Sequence, residues 1–205
     1  MPYQLAVLVA VLLPIIALVV IKTSAGRIRI DAGKGSPYPI LFTPFFFPPL
    51  AVALRSLLDY RILNHHDLWL TVIGLTFGLS VILSVTYRAN KLPGKAKLMV
   101  VLAVAVGSFI YSYGVVIQYN CAFDTSAPQI FPAQVVDKRM HVGDSIDRYL
   151  KITPWGPQQD ATEVKVSKGL YDRAAIGEEI QVRLFPGKLG VPWYRLNDKL
   201  VDQKR

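Results

Sequence analysis

Four long apolar runs occupy the first 118 residues, and short alternating runs follow them. Leu5 to Ile21 contains no charged residue and only Pro14 as a helix breaker. Its thirteen Leu, Ile and Val residues favour membrane insertion by roughly 4–8 kcal/mol in total. Tyr38 to Leu54 is apolar but carries Pro39, Pro44, Pro48 and Pro49. An interior proline removes an N–H and kinks a helix, so this run reads as a kinked span continuing through Leu57 and Leu58. A re-entrant segment is the alternative. Trp69–Tyr87 and Leu98–Gln118 are free of charge, and each is long enough to cross about 30 Å of hydrocarbon. Trp69 and Tyr87 bracket one as interfacial anchors, and Tyr111, Tyr113 and Tyr119 sit toward the end of the other. The pattern predicts four transmembrane helices over residues 4–22, 38–58, 69–87 and 98–118.

From Tyr119 the pattern changes. Residues 119–128, with Asp124-Thr125-Ser126-Ala127-Pro128, read as a linker, and residues 129–205 as a small β-rich domain. Strand-like runs are Ala133–Lys138, Arg148–Thr153, Thr162–Ser167, Glu179–Phe185 and Val191–Leu196. Ile180, Val182 and Leu184 alternate with Gln181 and Arg183, and Val164 and Val166 alternate with Glu163, Lys165 and Ser167. A period of two marks a half-buried strand. Val142-Gly143-Asp144, Pro154-Trp155-Gly156-Pro157 and Pro186-Gly187 carry turn chemistry. Ser167 is placed to cap a short helix through Leu170, Tyr171 and Ala174, ending near Gly177. The expected fold class is an α+β membrane protein: four spans, then a small, mostly-β barrel or sandwich.

Composition sharpens this reading. Apolar residues make up 52% and charged residues 18%, with a mean hydropathy of +0.36. An average soluble chain has about 25% charged residues, so an ordinary soluble globule is excluded. The net charge is +9. Residues 1–118 hold ten Lys/Arg against three Asp/Glu, and residues 119–205 hold thirteen against eleven. A nucleic-acid binder concentrates cations in its soluble part, so no nucleic-acid partner is expected. The excess lies in loops instead. Lys22, Arg27, Arg29 and Lys34 follow the first run, and Arg88, Lys91, Lys95 and Lys97 follow the third, whereas the second loop has only Arg55 and Arg61. Four spans separate these cations eight against two; a re-entrant second run separates them six against four. The positive-inside rule favours four spans with both termini, and the β-rich domain, outside the cytoplasm. Met1-Pro2-Tyr3-Gln4 lacks the basic n-region of a signal peptide, so the first run reads as an uncleaved span.

The β-rich tail also carries a family likeness. Asp124-Thr125-Ser126-Ala127-Pro128 and Val135-Val136-Asp137-Lys138-Arg139 are followed by Tyr149-Leu150-Lys151-Ile152-Thr153 and Val166-Ser167 with Leu170-Tyr171. Gly177, Val182-Arg183-Leu184 and Pro186-Gly187-Lys188-Leu189-Gly190-Val191-Pro192-Trp193-Tyr194 complete it. Over residues 119–196 the chain resembles the tail of a group of uncharacterised bacterial multi-span inner-membrane proteins that end in a P-G-x-L-G-x-P-W-Y-like motif. The resemblance implies a bacterial inner-membrane protein and brings no activity with it.

Candidate chemistry is sparse. His65-His66-Asp67 is the only cluster of metal-capable side chains in the sequence. Adjacent residues diverge in direction, and zinc sites use three spaced ligands, so a polar interfacial loop is the simpler reading. Cys121 is the single cysteine; it reads as a packed thiol, with an intermolecular bridge as the alternative. Gly74–Gly78 and Ala103–Gly107 match the small-xxx-small pattern of close helix approach, and packing within the chain is favoured over a dimer face. Trp155, Trp193 and Tyr194 are weighed as a partner-binding surface against a role in the β-domain core. Lys165, Lys168 and Arg173 read as a solvated face. No nucleophile-elbow, P-loop or dinucleotide motif is present in context, so no cofactor is expected. The expected partners are the lipid bilayer and a protein bound through the C-terminal domain. The leading expectation is an accessory or interaction protein displaying a β-module. A small pore or transporter component is the alternative, although the four runs carry no charged residue except Arg55 at an edge. A membrane-interface enzyme is the third.

Overall fold

The structure is a computed structural model describing residues 2–23, 42–86, 94–143 and 146–197. The loop cations Arg27, Arg29, Lys34, Arg88 and Lys91, and the first residues of the second apolar run, lie outside them. The fold class is α+β: helices accompany a curled antiparallel half-barrel. The chain divides into two compact units. One holds the long helices and Gly187–Val191; the other holds Arg61–Leu63, Ser126–Pro186 and the chain from Pro192.

In the helical unit, α1 is Pro2–Thr23, α2 Phe42–Asp59, α3 His66–Thr86 and α4 Gly94–Ala122. Among the described residues, two helical stretches are long and apolar enough to cross a membrane: His66–Val85 and Val101–Ala122. The second proline-rich run forms one helix, with Pro48 and Pro49 inside it. Pro44 falls in its first turn, where a missing N–H costs no intrahelical bond. α4 continues to Ala122, into the segment that reads as linker. The helices alternate in direction. Tyr3 of α1 meets Gln118 of α4, and the Tyr111 hydroxyl donates to the Val11 carbonyl at 2.6 Å. Ser56 of α2 donates to the Val52 and Gly114 carbonyls at 2.8 and 3.0 Å. Trp69 of α3 packs its ring against Phe109 and Tyr113 of α4.

The close helix approach is not where the small-residue pattern puts it. A Cβ at Gly74, Gly78 or Gly107 would meet nothing within 4 Å, and Ala103 is exposed. Among the described residues, these positions therefore make no close helix contact. Gly114 makes the contact instead, since a Cβ there would lie 2.8 Å from the Ala53 nitrogen and 2.9 Å from its Cα. Gly74→Ala and Gly78→Ala are accordingly expected to leave the fold intact. Each removes the conformational cost of a mid-helix glycine, about 0.5–1 kcal/mol. Thermal unfolding in detergent checks this: a clear fall in midpoint would show that the positions are packed.

In the second unit, β1 is Arg61–Ile62, β2 Gln129–Val142, β3 Ile146–Ile152, β4 Thr162–Lys165, α5 Lys168–Arg173, β5 Glu179–Phe185 and β6 Trp193–Leu196. The sheet is antiparallel in the order β1-β6-β5-β2-β3-β4. It curls into a half-barrel and does not close, because β1 and β4 end it without pairing to each other. β2 is longer than its sequence pattern because it serves two partners. Residues 129–134 pair with β5 and residues 135–142 with β3, with an irregularity between Val135 and Asp137. Val135, Leu150, Ile152, Val164, Ile180 and Val182 are all 0–1% exposed and form one apolar face. α5 begins at the Ser167 cap, whose Oγ accepts from the Leu170 N–H. At its other end the Lys138 ammonium donates to the Tyr171 and Ala174 carbonyls at 2.5 and 2.7 Å. A cation suits the negative end of a helix.

Candidate functional site

The residues singled out from the sequence lie in separate places: the aromatic ones in the β-rich unit and the His-His-Asp cluster at the start of α3. Trp155 and Trp193 are 3% and 6% exposed, and Tyr194 packs on the core. Trp155 lies 4.9 Å from Tyr194 and 6.0 Å from Phe131 between ring centroids, and Trp193 stacks on Phe185 at 4.3 Å. Trp155 and Trp193 are therefore core residues, with Tyr194 partly buried beside them: a small sheet needs large apolar side chains to fill its interior. His65, His66 and Asp67 are exposed. The His66 N–H is taken by Asn64 Oδ1 at 3.0 Å, and the His65 carbonyl accepts from Leu68, so the segment starts α3. Among the described residues no group of three His, Cys, Asp or Glu side chains is placed to hold a metal. Cys121 is 3% exposed, with the Asn120 amide 3.6 Å from its sulfur.

The helical unit gathers its polar side chains at one end. The Tyr3 hydroxyl donates toward Gln118 Oε1 at 3.1 Å and lies 3.3 Å from Asp59 Oδ2. It accepts from the Tyr60 hydroxyl at 3.5 Å. Gln4 Nε2 donates to the Ala122 carbonyl at 2.8 Å. Arg55 pairs with Asp59 at 3.0 Å and sits 5.7 Å from the centre of the Tyr3 ring. Burial, with the hydrogen bond to Tyr3, pushes the Tyr60 phenol above the ordinary tyrosine range and keeps it protonated. The carboxylate is held by arginine and the amides are held by backbone or hydroxyl. The cluster fastens helix ends, and no nucleophile–base pair stands in it.

A second knot in this unit is built on Asn120, which is fully buried. Its Nδ2 donates to the Val191 carbonyl at 2.9 Å, and its Oδ1 accepts from the Leu189 N–H at 2.9 Å. Its own carbonyl accepts from the Lys188 N–H at 2.8 Å. Asp124 Oδ2 accepts from the Gly187 N–H at 2.9 Å. The segment Gly187–Val191 is thus read by one amide and one carboxylate from the end of α4. Gly187 and Gly190 have φ of +79° and +76°, which suits glycine. The sequence signal for this knot was a polar pair, Gln118 and Asn120, closing an apolar run.

In the second unit an open groove of about 550 Å³ lies at β2, β3 and β4. Lys138, Arg139, Met140, His141, Tyr149 and Glu163 line it. Its charges are mutually engaged: Arg139 lies 3.4 Å from Asp137 and 3.2 Å from Glu163. No protein-family model, curated protein or solved structure matches this chain.

Proposed function

We propose that this chain is a multi-span protein of the bacterial inner membrane that presents its β-rich unit outside the cytoplasm as an interaction module. It is read as an accessory protein rather than an enzyme. The observation that carries the reading is the alternation of helix direction, which gathers Tyr3, Asp59, Trp69 and Gln118 at one end. With α3 and α4 crossing a bilayer, α1 and α2 complete an up-and-down set. The N-terminus and the exit of α4 then share a side. α2, with 18 residues, extends about 27 Å, close to the roughly 30 Å of a hydrocarbon core. The eight-against-two division of loop cations directs that shared side outward. Leu70, Phe77 and Val85 of α3 are 86%, 72% and 73% exposed, an arrangement suited to lipid rather than water.

The single, buried cysteine makes a labelling scan clean. His65→Cys and Ser126→Cys are expected to react with a membrane-impermeant maleimide on intact spheroplasts. Lys91→Cys is expected to react only after lysis. Labelling in the reverse sense would put the β unit in the cytoplasm and overturn the reading.

A further inference from the structure

The sheet ends in β1 and β4, and one side chain joins these edges. The Arg61 guanidinium donates through Nη2 to the Lys165 carbonyl. That contact fixes which backbone groups of β4 face outward. Backbone groups alternate between the two sides of a strand. The N–H of Lys165 and both backbone groups of Glu163 therefore face away from β3, together with the Lys165 carbonyl. Among the described residues only that carbonyl has a partner. Among the described residues no strand covers this edge, and the Glu163 and Lys165 side chains are 43% and 50% exposed. Charges commonly guard such an edge. Here both are engaged on the sheet face, Glu163 with Arg139 at 3.2 Å and Lys165 with Asp147 at 2.6 Å.

Arg61 itself points inward from β1, opposite Tyr194, and is half-buried. No carboxylate among the described residues pairs with it, and its charge is felt by the phenols of Tyr149 and Tyr194. A guanidinium has five N–H donors, and among the described residues this one has a single acceptor, a neutral carbonyl. A half-buried cation with no counter-ion among the described residues, beside a strand edge that none of them pairs, is complementary to a strand that brings a carboxylate.

We infer that β4 accepts an extended peptide segment as an added strand, with Arg61 leaving the Lys165 carbonyl to pair with an acidic side chain of that segment. The inference rests on reading the β unit as an interaction module. It names the partner's chemistry: main-chain hydrogen bonds supply affinity, and Arg61 selects the carboxylate.

The test uses the full chain in lipid nanodiscs, panned with a display library of random heptapeptides, with empty nanodiscs as the subtraction. Enriched peptides are expected to alternate β-branched residues and to contain Glu or Asp. A synthetic copy of the leading peptide is expected to slow amide exchange at Glu163 and Lys165. Arg61→Gln and Glu163→Pro are each expected to weaken it about tenfold or more, through loss of a charge-assisted or a main-chain hydrogen bond. Glu163→Pro removes an outward N–H together with the carboxylate that pairs with Arg139; Glu163→Gln reads the second loss alone, so the pair keeps the test valid if Arg61→Gln fails to fold. Glu163→Gln, which leaves the edge unchanged, is expected to bind within about twofold of the parent. No enrichment over empty nanodiscs, enriched peptides without a carboxylate, or binding that survives Arg61→Gln or Glu163→Pro overturns the inference. The maleimide scan reads topology alone, so either proposal can fail without the other.

Discussion

Gly187→Val is expected to dislodge Gly187–Val191 from the end of α4. Two independent effects act at this position. The backbone sits at φ +79°, where a side chain costs about 1–2 kcal/mol and a β-branched one is a marked outlier. A Cβ there would also lie 2.2 Å from the Val191 carbonyl oxygen and 2.5 Å from Asn120 Oδ1. Neither atom can retreat without breaking the Asn120 bonds to Val191 and Leu189. Asn120 is fully buried, so each group left unpaired costs about 1–3 kcal/mol. The combined loss is about 4 kcal/mol or more. Amide exchange at Lys188 and Leu189 should accelerate, and Lys188 should become a tryptic site. Asn120→Ala should give the same exchange pattern without the backbone strain. Unchanged protection of Leu189 in Gly187→Val would mean that the knot does not hold this segment.

The second large effect is expected at the α2–α4 contact. Gly114→Leu directs a side chain at the Ala53 backbone, which a Cβ alone would approach to 2.8 Å. Helix backbone cannot yield as a side-chain end can, so α2 must move. That movement breaks the Ser56–Gly114 hydrogen bond. Overpacking of a tight site costs about 1–3 kcal/mol and occasionally more, and this site belongs to the upper end. The measurement is thermal unfolding in detergent beside Gly107→Leu. Gly107 lies on the same helix and faces open space. Equal midpoints for the two variants would refute the close approach.

These two positions also show what the sequence could and could not reveal. Period-two alternation located β5, and the Ser167 cap located α5, because both signals are local. The small-xxx-small pattern found glycines on helices but not the face that packs. Spacing shows that two small residues share a helix side, whereas the neighbour is set by tertiary contact. Gly114 has no such pair, and only the Ala53 backbone identifies it. β1 was illegible for a similar reason. Arg61–Ile62 is too short to show a period, and it becomes a strand through Tyr194 and Trp193. Trp155 and Trp193 were ambiguous because an aromatic residue in a Pro/Gly turn serves a core or a surface equally well. Burial of 97% and 94% decides for the core. Asn120 and Asp124 could be seen as polar residues closing an apolar run, but the segment they hold lies far along the chain.

The remote origin of β1 has a consequence for biosynthesis and for anyone excising the module. A ribosome completes Arg61–Ile62 long before Trp193–Leu196 exists, so the first rung of the sheet waits, unzipped, for more than a hundred further residues to be added. A gene fragment starting at Ser126 encodes a sheet with a bare β6 flank, and it lacks Leu63, which packs against the apolar face. Such a fragment should be sticky and short-lived in solution unless Arg61–Leu63 is supplied in trans or grafted back through a tether.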